Sequence, residues 1–266
     1  MRKAHIILPS IPDRSIDGIS GSITVIGDDY HHLVNVLRMK TGDRVVAVDG
    51  SLRYETEISN ISRDSMTLKV IDISAIKKNP FYVSMILPVM APNKMEYMVQ
   101  KVAELGVDEI VLTFFNRCEQ KAKRTDIAKR EARLLRISRE AVNQSFNSII
   151  PTIRLAVSLD DAVGLITKPY LLIACMESGA DFTIGEVMSK AGIGCPDYSD
   201  DSKKIVLVIG PEGSMDDEER SFLADKGAFK VTINQSVLRS ETAAVAVLAI
   251  IRNYELERVK SCAGDL

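Results

Sequence analysis

Lys203 to Arg220 reads KKIVLVIGPEGSMDDEER, and its reading decides the fold. Ile205 to Ile209 form an unbroken apolar run that stops at Gly210-Pro211-Glu212-Gly213, and Asp216, Asp217, Glu218 and Glu219 follow. A short apolar run without polar alternation, closed by Gly and Pro, reads as a strand buried on both faces. In open α/β sheets ligands sit past the carboxyl ends of such strands. The loop here is neither a G-x-G-x-x-G fingerprint nor a G-x-x-x-x-G-K-[ST] phosphate cradle. Pro211 removes a backbone donor, and Glu212 puts a carboxylate where a phosphate would lie. The four acids open the next helix and repel an anion from its N-terminus, although the same acids also simply complement the helix macrodipole. The loop therefore fits a ligand without phosphate and with positive charge, terms that S-adenosylmethionine meets. A plain tight turn remains the alternative for Gly-Pro-Glu-Gly.

Around this strand the pattern alternates. FYVSMILPVM reads as a strand, and KMEYMVQKVAELGV carries Met95, Met98, Val99, Val102 and Leu105 at helical spacing, with Gly106 as its stop. DEIVLTFF is a strand, a charged helix is expected over roughly Thr125 to Phe146, and YLLIACME and AFKVTI are strands. MDDEERSFLADKG and SETAAVAVLAIIRNYELERV complete the set as helices. Strands alternating with helices imply a parallel sheet covered on both faces. Ahead of it, residues 1–75 differ. HHLVNVLRMKTGDRVVAVDG reads as a short helix, a turn and a strand, and LRYETEISNI and SMTLKVIDISAI as strands of alternating polarity, the makings of a small barrel. The boundary is placed at 75/76, beside KKNP.

The chain of 266 residues has 46% apolar and 26% charged residues and a net charge of -2, so any nucleic-acid site must be a local patch rather than a global polycation. Cys118, Cys175, Cys195 and Cys262 are scattered with no C-x-x-C, which points to neither zinc nor a disulfide framework. Ile6 to Leu8 is cut off by Pro9 and is too short for a signal peptide, and no stretch approaches a membrane span. The expected setting is the reducing cytoplasm, with no metal.

A second strand-end loop, NQSVLRSETAAVAVLAIIRN, is the more specific one. Asn234 and Gln235 are turn residues, Ser240 is placed to cap the following helix, and Arg239 precedes it at the same sheet edge. Ala243, Ala244, Ala246 and Ala249 then give either good helix propensity or a close helix or subunit contact.

VIGPEG followed some 25 residues later by VLRSETA resembles the SPOUT class of knotted RNA methyltransferases, most closely the RsmE family, which methylates N3 of a uridine in small-subunit ribosomal RNA. The pattern continues upstream in HHLVNVLRMKTGD, KMEYMVQKVAELGVDEI, Arg117, EAVNQS and PTI, in order over nearly the whole chain. The resemblance implies an α/β trefoil-knot methyltransferase domain over 76–266, a PUA-like β-barrel over 1–75 that helps bind RNA, and a homodimer whose subunits both line the site. It implies S-adenosylmethionine as cofactor, held by Met176 and Glu177, by Ile209, Gly210, Pro211, Glu212 and Gly213, and by Ile233, Asn234, Val237, Leu238, Ser240, Thr242 and Ala243. This chain departs from the family at Asn143, where the family carries an acid, and at Phe146-Asn147, where it carries Gly-Arg. Ser214 stands for a second glycine and Ile233-Asn234 for Leu-Gly.

Methyl transfer from a sulfonium is an in-line displacement, so the protein must align the partners, exclude water and stabilise charge developing on the uracil ring. Arg239 is the candidate for that charge, with Glu241 as its orienter or as a helix-cap residue. No histidine lies outside the first domain, where His5, His31 and His32 all sit. Arg117 to Arg139 contains nine basic and three acidic residues. Such a run is ordinarily a solvated helix face; with the resemblance it becomes a phosphate-binding patch built on Arg117, Arg130, Arg133 and Arg136. Arg38, Lys40 and Lys94 are further RNA candidates, and Lys101 with Glu104 reads as a helical pair. The expected target is 16S rRNA, most naturally in the assembled small subunit. Another rRNA or tRNA nucleotide, or a non-catalytic RNA-binding assembly factor, are the rival readings.

Overall fold

A computed structural model describes residues 3–8, 21–76, 79–118, 130–167, 170–191 and 204–263. The chain divides into two units, Met1–Lys77 with Val142–Ile149, and Lys78–Ala141 with Ile150–Leu266.

The first unit holds strands β1 (Lys3–Ile7), β2 (Ser22–Ile26), β3 (Arg44–Val48), β4 (Leu52–Ile61) and β5 (Ser65–Ala75). They form one mixed sheet in the order β1-β3-β4-β5-β2, with β1 parallel to β3 and the other pairs antiparallel. Within the described residues β1 and β2 are sheet edges, so the small barrel expected from the strand pattern is an open half-barrel of PUA-like type. Alternation drives its burial: Ile23 and Val25 point inward from β2, and Ile58, Met66 and Leu68 are fully buried. The apolar run at Ile6, dismissed as too short for a leader, is the buried strand β1. Helix α1 (Gly27–His31) runs on into a π-helical turn over His32–Val36, which drives Leu33 into the core. His5, in β1, is also buried, and burial pulls its pKa down to about 4, with the Arg53 charge adding to the effect.

The second unit is a seven-stranded sheet in the order β10-β12-β9-β11-β6-β7-β8, every pair parallel. The strands are β6 (Tyr82–Pro88), β7 (Glu109–Thr113), β8 (Thr152–Leu155), β9 (Leu171–Cys175), β10 (Phe182–Thr183), β11 (Lys204–Ile209) and β12 (Phe229–Thr232). The helices are α2 (Pro92–Glu104), α3 (Glu131–Ser145), α4 (Leu159–Leu165), α5 (Ile184–Lys190), α6 (Asp217–Asp225) and α7 (Ser240–Ala263). A buried cluster lies on each face. Met98, Val99 and Val102 of α2 meet Leu207 and the Val247 stripe of α7 on one, and Val163 and Leu223 meet Val206 and Val208 on the other. That two-sided burial is why β11 and β6 read as continuous apolar runs. Lys101 and Glu104 form the expected pair at 2.7 Å. The long charged helix is described from Glu131; residues 119–129 of the expected span lie outside the described residues. Among the described residues no helix is long and apolar enough to cross a membrane.

Candidate cofactor cleft

The carboxyl ends of β9, β11 and β12 lie side by side, because β11 pairs with β9 and β9 with β12. A cleft opens there. Cys175, Met176 and Glu177 enter it from β9, Ile209 and Gly210 from β11, and Ile233, Asn234, Val237 and Leu238 from the loop after β12. Ser240 and Ala243, at the start of α7, form its remaining wall. All of these except Cys175 are among the expected cofactor residues. Pro211, Glu212, Gly213 and Thr242 were expected with them but are not part of the lining. The chain curls back through Ser214, Met215 and Arg220 instead, and Ser236 completes the rim.

The reason lies in the turn. Ser214 N–H donates to Pro211 carbonyl at 3.0 Å, and Ser214 takes φ of +62°, a left-handed backbone that disfavours a residue with Cβ. That conformation brings the Ser214 hydroxyl to the Glu177 carboxylate, to which it donates. A glycine at 214 would supply the backbone but not this bond between two of the loops. Glu212 points elsewhere and pairs with Lys94 at 3.1 Å. This ion pair engages one of the expected RNA cations. Gly213 is needed for a different reason. A Cβ built there would lie 2.6 Å from the Arg117 carbonyl oxygen, inside any real contact. Gly213→Ala is expected to push the loop off the 116–118 turn and to weaken cofactor binding at least tenfold, read by calorimetry, with a lowered melting midpoint.

The acids after the loop are mostly spoken for. Asp216 caps α6 by accepting from Glu219 N–H at 2.9 Å, and Glu219 returns the bond to Asp216 N–H at 3.0 Å. Asn116 donates its backbone N–H to Glu219 at 2.7 Å and its side-chain amide to Asp216 at 2.8 Å. The Glu219 N–H holds the Asp216 carboxyl below the usual carboxylate range, with the Asn116 amide second. The N-terminus of α6 is thus closed by its own carboxylates. It offers little to a phosphate.

The last loop departs from expectation in two details. Ser240 does not spend its hydroxyl on capping; it donates to the Gly210 carbonyl at 2.8 Å and ties the start of α7 to the end of β11. Asn234 does not use the left-handed backbone; its Oδ1 accepts from Gln235 N–H at 2.8 Å. Arg239 is exposed between the lining residues Leu238 and Ser240, and among the described residues no hydrogen bond or ion pair joins its guanidinium to Glu241. One carboxylate oxygen of Glu241 is buried without a hydrogen-bond partner among them. The buried Cys175 thiol is pushed up to about 12 by desolvation, so it stays protonated and is no nucleophile at neutral pH. Among the described residues no group of His, Cys, Asp and Glu is arranged to hold a metal ion.

The expected RNA cations are spread out. Arg38 and Lys40 are exposed in the first unit, Arg38 with φ of +54°. Arg117 is exposed beside the Gly213 loop. Arg133 is held by Glu96 through bonds of 2.6 and 2.8 Å, Arg136 lies 4.0 Å from Glu140, and Arg130 is half-buried at the start of α3.

Family models match this chain twice: an RNA methyltransferase domain over residues 77–252 and an RNA methyltransferase PUA domain over residues 25–71. Ribosomal RNA small subunit methyltransferase E 2 of Borreliella burgdorferi is 30% identical over 241 residues, covering 88% of this chain and 93% of that one. The methyltransferase E of Bacillus subtilis is 25% identical over 245 residues, covering 90% and 92%. Among solved structures, the methyltransferase E of Neisseria gonorrhoeae bound to S-adenosyl methionine superposes with a TM-score of 0.78 at 21% identity, over 95% of this chain and 98% of that one. That last likeness is one of fold.

Proposed function

The chain belongs to the ribosomal RNA small subunit methyltransferase E family, and from that premise we propose that it transfers a methyl group from S-adenosylmethionine to N3 of a uridine in 16S rRNA. The observation that carries the reading is the cleft itself, at the ends of β9, β11 and β12, lined mainly by apolar side chains together with the Glu177 carboxylate and Arg220, whose Nε donates to the Met215 carbonyl. Ile209, Ile233, Val237, Leu238 and Ala243 give the adenine ring an apolar slot. Backbone groups around Gly210 and Leu238, with Glu177, serve its polar edges. When bound, S-adenosylmethionine supplies an electrophilic methyl group on a sulfonium. Glu177 adds the negative charge that such a cation favours, and Ser214 holds the Glu177 carboxylate in place. Arg239, exposed at the cleft rim, stabilises negative charge on the uracil ring or fixes its phosphate.

The three loops are proposed to close as the trefoil knot of the family. The enzyme is proposed to be a cytoplasmic homodimer. Tyr97 on α2 and Ile250 and Leu256 on α7 leave large apolar groups in solvent, which a second copy would cover. The basic run before and within α3 is proposed to hold rRNA phosphates. The test has two arms. Calorimetry should register binding of S-adenosylmethionine and its demethylated product. Small subunits from cells lacking the protein should lack one N3-methylated uridine in 16S rRNA, restored in vitro by the purified enzyme. Binding without restoration would leave a non-catalytic RNA-binding factor, and a modification missing elsewhere would move the target.

A further inference from the structure

Helix α3 ends in an arrangement that costs the protein stability. Asn147 N–H donates to the Val142 carbonyl at 3.1 Å, and Phe146 N–H approaches the Asn143 carbonyl at 3.4 Å. These two bonds define a Schellman cap, whose pivot is Phe146 at φ of +57°. Glycine is the residue that such a pivot favours, and any Cβ there is strained. A bulky aromatic at this position is a strained residue whose side chain has a use.

The ring is not used for packing. Phe146 is 46% exposed, and the one aromatic contact it makes is with His5, at 5.6 Å between centroids and tilted by 53°. His5 is itself buried, with the Asn143 side chain beside its ring. With its pKa near 4, His5 is a neutral aromatic wall at physiological pH. The rim is polar: Gln144 and Ser145 are exposed, Asn147 accepts from Ser148 N–H, and the Asn143 side chain lies beside His5, where its hydrogen bond opposes the fall in the imidazole pKa. Amides beside an aromatic face suit a flat heterocycle with hydrogen-bonding edges. An aliphatic partner would leave the amides unpaired.

We propose that Phe146 is a stacking platform for one unpaired nucleobase of the ribosomal RNA substrate, with the Asn143 and Asn147 side chains at the edge of that base. The proposal rests on the RNA methyltransferase reading and adds a substrate contact by a residue that does not line the cofactor cleft. It makes Phe146 a substrate-binding residue, not a catalytic one.

The chain contains no tryptophan, so Phe146→Trp installs its one tryptophan at the site, and excitation at the red edge of its absorption spares the seven tyrosines. Small ribosomal subunits isolated from cells lacking the protein are titrated into this variant, into the wild type, and into Phe146→Leu and Phe146→Gly. Stacking predicts that the new tryptophan is quenched on binding and that the Trp variant keeps wild-type affinity within about twofold. The Leu and Gly variants should bind about tenfold more weakly and show a raised KM for the subunit, with cofactor affinity unchanged. Phe146→Gly suits the backbone at this position, so its weakened binding is not the result of misfolding. Unchanged affinity in the Leu and Gly variants, or no quenching in a Trp variant that binds, would reduce Phe146 to a helix cap. Failure of the wild type to bind or methylate the subunits would instead sink the parent reading, and this proposal with it.

Discussion

Arg239→Ala should lose methylation by about a hundred- to a thousandfold while binding S-adenosylmethionine as the wild type does. Two features of the structure separate these readouts. The Arg239 carbonyl accepts from Ala243 N–H at 2.8 Å, so its backbone belongs to the first turn of α7 and survives the substitution. Its side chain is exposed at the rim and is not part of the cleft lining, whose walls on either side are Leu238 and Ser240. Removing the guanidinium therefore takes nothing from the cofactor's surroundings. On the proposed mechanism it takes away the cation that would stabilise charge on the ring nitrogen as that nitrogen surrenders its proton and accepts a methyl group. Arg239→Lys should recover part of the rate by restoring the charge without the planar fork. Since no ion pair joins Arg239 to Glu241 among the described residues, Glu241→Gln should cost far less than Arg239→Ala. Wild-type turnover in Arg239→Ala would remove this residue from the mechanism and leave charge stabilisation to the backbone.

The parallel sheet was readable because its strands are buried on both faces and therefore largely apolar, as in β6, β7 and β11, with the buried Ser84, Glu109 and Thr113 as exceptions. Helix α2 was readable because every residue that its spacing assigns to the core is buried except Leu105, which forms its C-terminal boundary. The elements that escaped were short. Strand β10 has two residues, α4 and α5 have seven each, and β8 shows four residues of mixed exposure. None is long enough to establish a period. In the cleft, the residues found from sequence were those at or just past a strand's end and those of the VLRSETA stretch, which carried the family resemblance. Ser214, Met215 and Arg220 were missed because they return to the cleft through a turn. That turn requires positive φ at a serine, which local propensity argues against. The capping role expected of Ser240 failed because the helix already begins at that residue, with the Arg239 carbonyl accepting its first bond, and the Ser240 hydroxyl instead donates to the Gly210 carbonyl.

The largest expected effect on stability comes from a residue outside the cleft. Arg252 of α7 is nearly buried, with 11% of its side chain exposed. Its guanidinium donates to the Phe81 carbonyl at 3.0 Å, to Glu255 at 2.7 Å, to Asp108 at 3.0 Å and to the Gly106 carbonyl. Glu255 also accepts from Phe81 N–H, and Asp108 from Val83 N–H. One side chain thus fastens α7 to the first turn of β6 and to the loop before β7. Arg252→Met would strand two buried carboxylates, a loss of about 3–5 kcal/mol and roughly 10 °C in melting midpoint. Burial already raises the pKa of Asp108 and of Glu255, with Arg252 opposing it. Without the cation both rise further. A carboxyl whose folded pKa lies above its unfolded one stabilises at low pH and loses that contribution as pH rises through the folded value. The deficit of the variant should therefore be greatest at neutral pH and shrink as the medium is acidified toward the ordinary carboxylate range. Adding Asp108→Asn and Glu255→Gln should likewise recover part of it. A deficit independent of pH would mean that the loss is one of packing and that the carboxylates found other partners. Because the same helix begins at Ser240, bonded to Gly210 in the cleft, a loosened α7 should also weaken cofactor binding. Arg239→Ala should not, and measuring cofactor affinity in both variants separates the anchor of the helix from the group at its tip.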